Sequence, residues 1–274
     1  PTTRIERATG PITIDGLLDD PAWRDAPSFD AFIQADPIAG ATPSQPTRVW
    51  LAYDDENLYL GIRLFDEQPD EIVVRQMQRD ASQQPDDRVS IVIDPFGKQR
   101  EGYFFQVNAA GAKRDGLIDQ GDRLRTEWDG IWDAKATIDG RGWIAEVAIP
   151  FKTIAFAPDA EAWGLNIERV IRRADEGARW ATPVRGRGIT DVGIAGRLVG
   201  LEGLERGAGV DIKPFFTFTA GGGAAFEGQP DYDVGGDVVF QITPDLTATF
   251  TVNTDFAATE VDARQINLTR FPLF

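Results

Sequence analysis

Among its 274 residues the chain has no cysteine and no histidine. Without cysteine there is no disulfide, thiol nucleophile, iron–sulfur cluster or zinc ribbon. The missing histidine removes the most frequent general base and the usual haem and zinc ligand, so neither haem nor zinc is expected. Cysteine-free chains occur in reducing and oxidising compartments alike, so this absence does not locate the protein. Long apolar runs are missing too. Nothing approaches the ~18 residues that a membrane-spanning helix needs, and residues 1 to 20 carry no basic, apolar secretion signal.

Positive charge is scarce, with 28 Lys and Arg against 44 Asp and Glu and a net charge of −16. Phosphate backbones and anionic headgroups are repelled by such a chain, which makes nucleic acid a poor partner. There is no nucleophile elbow, P-loop, dinucleotide fingerprint or zinc-ligand spacing. Gly221-Gly-Gly223 lacks the strand-to-helix context of a phosphate cradle. Neither a nucleotide cofactor nor catalysis is expected.

What the chain does have is 17 Phe, 7 Trp and 4 Tyr, together with 28 Gly and 17 Pro, the composition of short strands punctuated by turns. Period-two alternation recurs throughout. Leu58, Leu60, Ile62 and Leu64 share one face of a segment whose other face carries Tyr59, Gly61 and Arg63. Val89, Ile91 and Ile93 repeat the pattern, as do Tyr103, Phe105 and Val107, and Trp132, Ala134, Ala136 and Ile138. Trp143–Ile149 and Trp163–Ile171 continue the series. Turn chemistry lies between these runs at Asp54-Asp-Glu-Asn57, Asp94-Pro-Phe-Gly97 and Asp139-Gly-Arg-Gly142. One short helix is expected, with Asp20 as N-cap, Pro21 at its first position and Trp23 turned to the core. The fold class is therefore all-β, with a β-sandwich as its main body.

Composition shifts after about residue 206, where Gly, Thr and Phe take over and Trp disappears. Residues 1–206 are expected to form the sandwich and 207–274 a second region. There, Leu246, Ala248, Phe250 and Val252 alternate with Thr247, Thr249, Thr251 and Asn253, which suits a barrel strand with a lipid face and a watery face. Three or four strands do not close a membrane barrel, which takes ~8 or more. The chain opens on Pro-Thr-Thr and stops at Arg270-Phe-Pro-Leu-Phe274, so it is expected to be a fragment of something longer, its barrel incomplete.

The order of motifs resembles the family 9 carbohydrate-binding module. The likeness is carried by Ile14-Asp-Gly-Leu-Leu-Asp-Asp-Pro-Ala-Trp23, Tyr53-Asp-Asp-Glu-Asn-Leu-Tyr-Leu-Gly61 and Asp87-Arg-Val-Ser-Ile-Val-Ile-Asp94. It continues through Gly102-Tyr-Phe-Phe-Gln-Val-Asn108, Trp128-Asp-Gly-Ile-Trp132, Gly142-Trp-Ile-Ala-Glu-Val-Ala-Ile-Pro-Phe151 and Trp163-Gly-Leu-Asn166. The resemblance implies a jelly-roll-type sandwich that binds a glycan without catalysing its conversion. Asn253-Thr-Asp-Phe256, Glu260-Val-Asp262 and Gln265–Phe271 look like the junction at which such a module precedes an outer-membrane β-barrel. This implies a bacterial cell envelope and attachment to the outer membrane. The other reading is a scaffolding module that plugs or caps the barrel, or docks an envelope protein, without a sugar.

Sugar sites stack aromatic rings on pyranose faces and hold the hydroxyls with amides, carboxylates and Arg. The candidates here are Trp128 and Trp132, which flank an acidic turn, with Trp180 and Asn108. Oxygen-rich turns suit calcium, which takes ~6 to 8 oxygen ligands, and Asp80, Asp86 and Asp87 are the candidate set for a structural ion.

Overall fold

A computed structural model describes residues 1–157, 160–181, 186–204, 210–219, 231–243 and 246–253. The elements in chain order begin with β1 (Thr2–Arg4), β2 (Glu6–Arg7), α1 (Pro21–Asp25), β3 (Ser28–Phe29), β4 (Ile33–Asp36), β5 (Thr47–Tyr53) and β6 (Asn57–Phe65). They continue with β7 (Arg88–Asp94), β8 (Gly102–Asn108), β9 (Lys113–Asp119), β10 (Arg123–Arg125), β11 (Asp133–Asp139) and β12 (Gly142–Pro150). The last are β13 (Trp163–Ile171), β14 (Glu176–Arg179), β15 (Gly196–Val199), β16 (Val210–Thr219), β17 (Asp231–Thr243) and β18 (Leu246–Val252).

One sheet runs β1-β15-β13-β7-β8-β9-β10, with β14 on β13 and β4 on β14; the other runs β11-β12-β6-β5-β2, with β3 on β5. The expected alternations become the sandwich core. Leu58, Leu60, Ile62 and Leu64 of β6 meet Val89, Ile91 and Ile93 of β7 and Trp143, Ala145, Val147 and Ile149 of β12 in one buried cluster. Turns form where their chemistry predicts. Asp54 accepts from the N–H groups of Glu56 and Asn57, Asp94 from those of Phe96, Gly97 and Gln99, and Asp139 from that of Arg141. The edge strand departs from expectation at its far end, where Ile138 is exposed.

The outward face of the β6 sheet is covered as well, because the N-terminal segment lies across it. Helix α1 starts at Pro21 after Asp20, as expected, but the Asp20 carboxylate accepts from the Thr13 N–H rather than capping the helix. Trp23 is buried outside the inter-sheet core, in a small cluster with Ala52, Tyr59 and Ala148. The segment is fastened by Glu146, which points outward from β12. Its Oε2 accepts from the N–H groups of Asp15, Gly16 and Leu17 at 3.0, 2.8 and 3.2 Å, and its Oε1 from the Trp23 indole at 2.8 Å. Gly16 has φ +88°, and a Cβ there would come within 2.6 Å of Thr137 Oγ1, so glycine is required. The two sheets are bridged at one end by Arg169 of β13. This buried side chain donates to the carbonyls of Pro46 and Phe65 at 2.8 and 2.6 Å and lies 3.6 Å from the Asp66 carboxylate.

The chain divides into two compact units, Pro1–Arg206 and Gly207–Phe274. The second contains an antiparallel sheet in the order β16-β17-β18. Register pairs Phe216 with Val234, Val238 with Phe250 and Gly236 with Val252. Phe216, Val234, Phe250 and Val252 thus share one face, and all four are exposed. On the other face Thr251 donates to Asp237 at 2.7 Å. Gly221–Gly223 and the junction motifs from 254 to 271 lie outside the described residues.

Burial holds the Glu146 carboxyl up at about 6, against the pull of the N–H donors around it. A carboxyl whose folded pKa exceeds its unfolded one stabilises the fold fully below the unfolded value and loses that contribution as pH rises through the folded one. In denaturant titrations, the stability difference between wild type and Glu146→Gln should therefore shift against the wild type by about 1–2 kcal/mol between about pH 4 and pH 7. A difference that stays constant with pH would contradict this account of the latch.

Candidate functional site

Of the residues proposed for a sugar, Trp132, Trp180 and Asn108 are buried and Trp128 is half-buried. Trp132 is buried in the sandwich core, edge-on to Phe105 at 5.1 Å, with its indole N–H on Asp115. Trp180 is buried against Phe29 at 4.7 Å. Trp128 is half-buried and packs on Tyr103 and Phe105 at 5.2 and 6.1 Å. Asn108 is fully buried. Its amide donates to the Gln76 carbonyl at 2.7 Å and to Asp86 at 2.8 Å, while its oxygen accepts from the N–H groups of Ala110 and Ala112. Every hydrogen-bonding group of Asn108 is occupied in stapling a turn, which leaves none for a ligand.

The three candidate metal ligands do not gather either. Asp86 accepts from the N–H groups of Arg75 and Gln76 as well as from Asn108. Asp87, whose carboxyl is pushed up by burial, accepts from the N–H groups of Val73 and Arg172. Both are buried and spent on the backbone. Asp80 converges instead with Asp115 and Asp129, their carboxylate oxygens within 4.8 Å of one another. The cation already among them is the Arg79 guanidinium, which bonds to all three and to the Gly130 carbonyl.

A different constellation occupies the outward face of the sheet containing β7 and β8. Arg179 on β14 stands opposite Glu168 on β13, Glu168 opposite Ser90 on β7, Ser90 opposite Gln106 on β8, and Gln106 opposite Arg114 on β9. Five polar side chains thus form one row across five strands, a span of about 19 Å at the usual inter-strand spacing. Gln106 donates to Ser90 at 2.8 Å, and Arg179 donates to Glu168 at 2.7 Å and to the Arg187 carbonyl at 2.6 Å. The row is closed at the Arg179 end by the segment carrying Arg187. At the other end it reaches Arg114, a half-buried guanidinium with no hydrogen-bond or ion-pair partner among the described residues, its Nε fully withdrawn from water.

Two neighbouring rows frame this one. On one side Val92, Phe104 and Ile118 pack under Val192 of the 3-10 turn Val192–Ile194, and Asn166 points its Nδ2 into the sheet face without a partner. On the other side stands Arg88, which donates to the carbonyls of Gln83, Gln84 and Asp86. Burial lowers its pKa, and the charge of Glu168 counters this. A strip of alternating donors and acceptors beside an apolar border matches the chemistry of a sugar, whose hydroxyls both donate and accept. Sequence reasoning missed it, although Ser90 and Gln106 occupy the polar positions of strands it did recognise.

As a staple, Asn108 should on replacement by Ala lower the unfolding free energy by about 1–3 kcal/mol, because Asp86 and the Gln76 carbonyl each lose a donor and the buried Ala112 N–H loses its acceptor. A change within about 0.5 kcal/mol in chemical denaturation would place Asn108 outside the fold's support.

Comparison with known structures finds a family 9 carbohydrate-binding module from Caldicellulosiruptor kristjanssonii solved in complex with cellotriose, at TM-score 0.51 and 16% identity over 74% of this chain and 95% of that one. It also finds a protein from Bacteroides uniformis described as a candidate carbohydrate-binding protein, at TM-score 0.55 and 13% identity over 72% of this chain and 97% of that one. At these identities the likeness establishes the sandwich fold. No match was found among curated proteins. The family model described as carbohydrate family 9 binding domain-like matches residues 14–182, and the chain belongs to that family.

Proposed function

We propose that residues 1–206 bind a polysaccharide without catalysing its conversion, and that the ligand docks at the open, Arg114 end of the Arg179–Arg114 row. The observation that carries this reading is the in-register polar strip ending in an unpaired guanidinium. The family supports it, and so does the cellotriose bound to a structural relative. At the open end Arg114 would donate to sugar hydroxyls and the neighbouring Gln106 would accept from them.

A second reading concerns the other unit and rests on its own observation. The exposed apolar face of Phe216, Val234, Phe250 and Val252, opposite a face carrying Asp237 and Thr251, suits a strand set with lipid on one side and water on the other. We infer that residues 207–274 begin an outer-membrane β-barrel and that the sandwich works at the bacterial cell envelope.

Calorimetric titration with cello-oligosaccharides and other common polysaccharides tests the first reading. Binding should be detectable at millimolar ligand and weaken about tenfold or more in Gln106→Ala and Arg114→Ala, without loss of melting temperature in Arg114→Ala. Folded protein that binds nothing in such a panel would overturn it. For the second, the chain should float with lipid vesicles, and Phe250→Asp should release it; wild-type chain that stays at the bottom of the gradient would sink the barrel assignment.

A further inference from the structure

The outward face of the other sandwich sheet holds a depression of about 500 Å³ beside the segment latched by Glu146. Register puts Trp50 of β5 opposite Gly61, Arg63 opposite Ile144, and Phe65 opposite Gly142. Trp50, Phe65 and Ile144 therefore face outward together, and Leu18 from the latched segment forms the adjoining wall. No Cβ stands between them at Gly61, where one would collide with Leu18 at 2.6 Å.

The charged lining is arginine-rich. Arg63 is buried, holds Asp139 through two hydrogen bonds of 2.8 and 2.6 Å, and lies 5.4 Å from the Phe65 ring centre. Its Nε is buried without a partner. Arg24 and Arg141 are exposed, and among the described residues neither side chain makes an ion pair or hydrogen bond. Asp19 is the single acid in the lining. Asp139, which holds Arg63, also feels the charge of Arg141, and with Asp19 it leaves three guanidinium groups facing two carboxylates, a small local excess of positive charge in a chain with 44 acidic and 28 basic residues. Guanidinium forks match carboxylates bidentately, and the Trp50 ring suits the apolar C–H face of a pyranose.

We propose that this pocket is a second binding site, for a six-membered ring bearing a carboxylate, as in a uronic acid residue of an acidic polysaccharide. Arg24 and Arg141 grip the carboxylate while the ring lies against Trp50. The sugar half of this assignment rests on the carbohydrate-binding reading, but the pocket shares no residue with the Arg179–Arg114 row, so either site can fail without the other.

The test follows the Trp50 indole N–H resonance while methyl glucuronide, methyl glucoside or benzoate is titrated into the intact chain. The glucuronide should shift it at millimolar concentration and the glucoside should not. Arg24→Ala and Arg141→Ala should each weaken glucuronide binding about tenfold, with unchanged melting temperature, since neither side chain supports the fold. Added salt should weaken binding as well. Equal shifts from glucoside and glucuronide, or none from the glucuronide, would overturn the proposal. A response to benzoate alone would overturn the assignment to a sugar. Loss of neutral-sugar binding in Gln106→Ala with the glucuronide shift intact would keep the two sites apart.

Discussion

A strand commits alternate side chains to opposite faces of its sheet, so a two-sheet sandwich settles one face of each sheet in its core and leaves the other to be covered or solvated. In this chain both outward faces are largely withdrawn from water. On the β6 sheet the cover is the N-terminal segment, held by one carboxylate with four donors around it. That bond set reaches from Trp23 to Glu146, 123 residues along the chain, and binds the first recognisable motif of the sequence to one of the last. On the β7 sheet the cover is partial, and what lies under it is polar. Arg179, Glu168, Ser90 and Gln106 are all buried.

Buried polar groups are costly unless satisfied, which makes the second face informative. Most of its groups satisfy one another, as Gln106 does with Ser90 and Arg179 with Glu168. The Nε of Arg114 and the Nδ2 of Asn166 are left over. The unspent hydrogen-bonding capacity at the open end of the row is what the proposed glycan site would offer to hydroxyl groups. The acidic cluster at Asp80, Asp115 and Asp129 is the opposite case. Arg79 bonds to all three carboxylates and so ties the segments that carry them together.

The fold was legible because its causes are local. Alternation marks β6, β7, β8 and β12 from their own residues, and Asp54, Asp94 and Asp139 announce turns that their carboxylates then close. The candidate site was not legible, because register and strand order create it. β13 lies between β7 and β14, and no local pattern says that Glu168 will stand beside Ser90. Alternation likewise divides a strand into two faces without saying what covers each. Trp132 shared its apolar face with Ala134 and went inward, while Trp23 left the inter-sheet core for the outward face of the other sheet. Asn108 has the amide that a sugar hydroxyl would suit. Its neighbours at Ala110 and Ala112 turned it into a turn staple.

The proposed glycan site is the open end of the outward polar row of the β7 sheet. A backbone and side-chain NMR titration with a soluble cello-oligosaccharide tests this directly. The account predicts that the Gln106 amide and Arg114 Nε–H resonances move first and furthest, with Ser90 and Phe104 following and Trp132 and Trp180 still. Perturbation centred on the tryptophans, or confined to the opposite sheet, would contradict it.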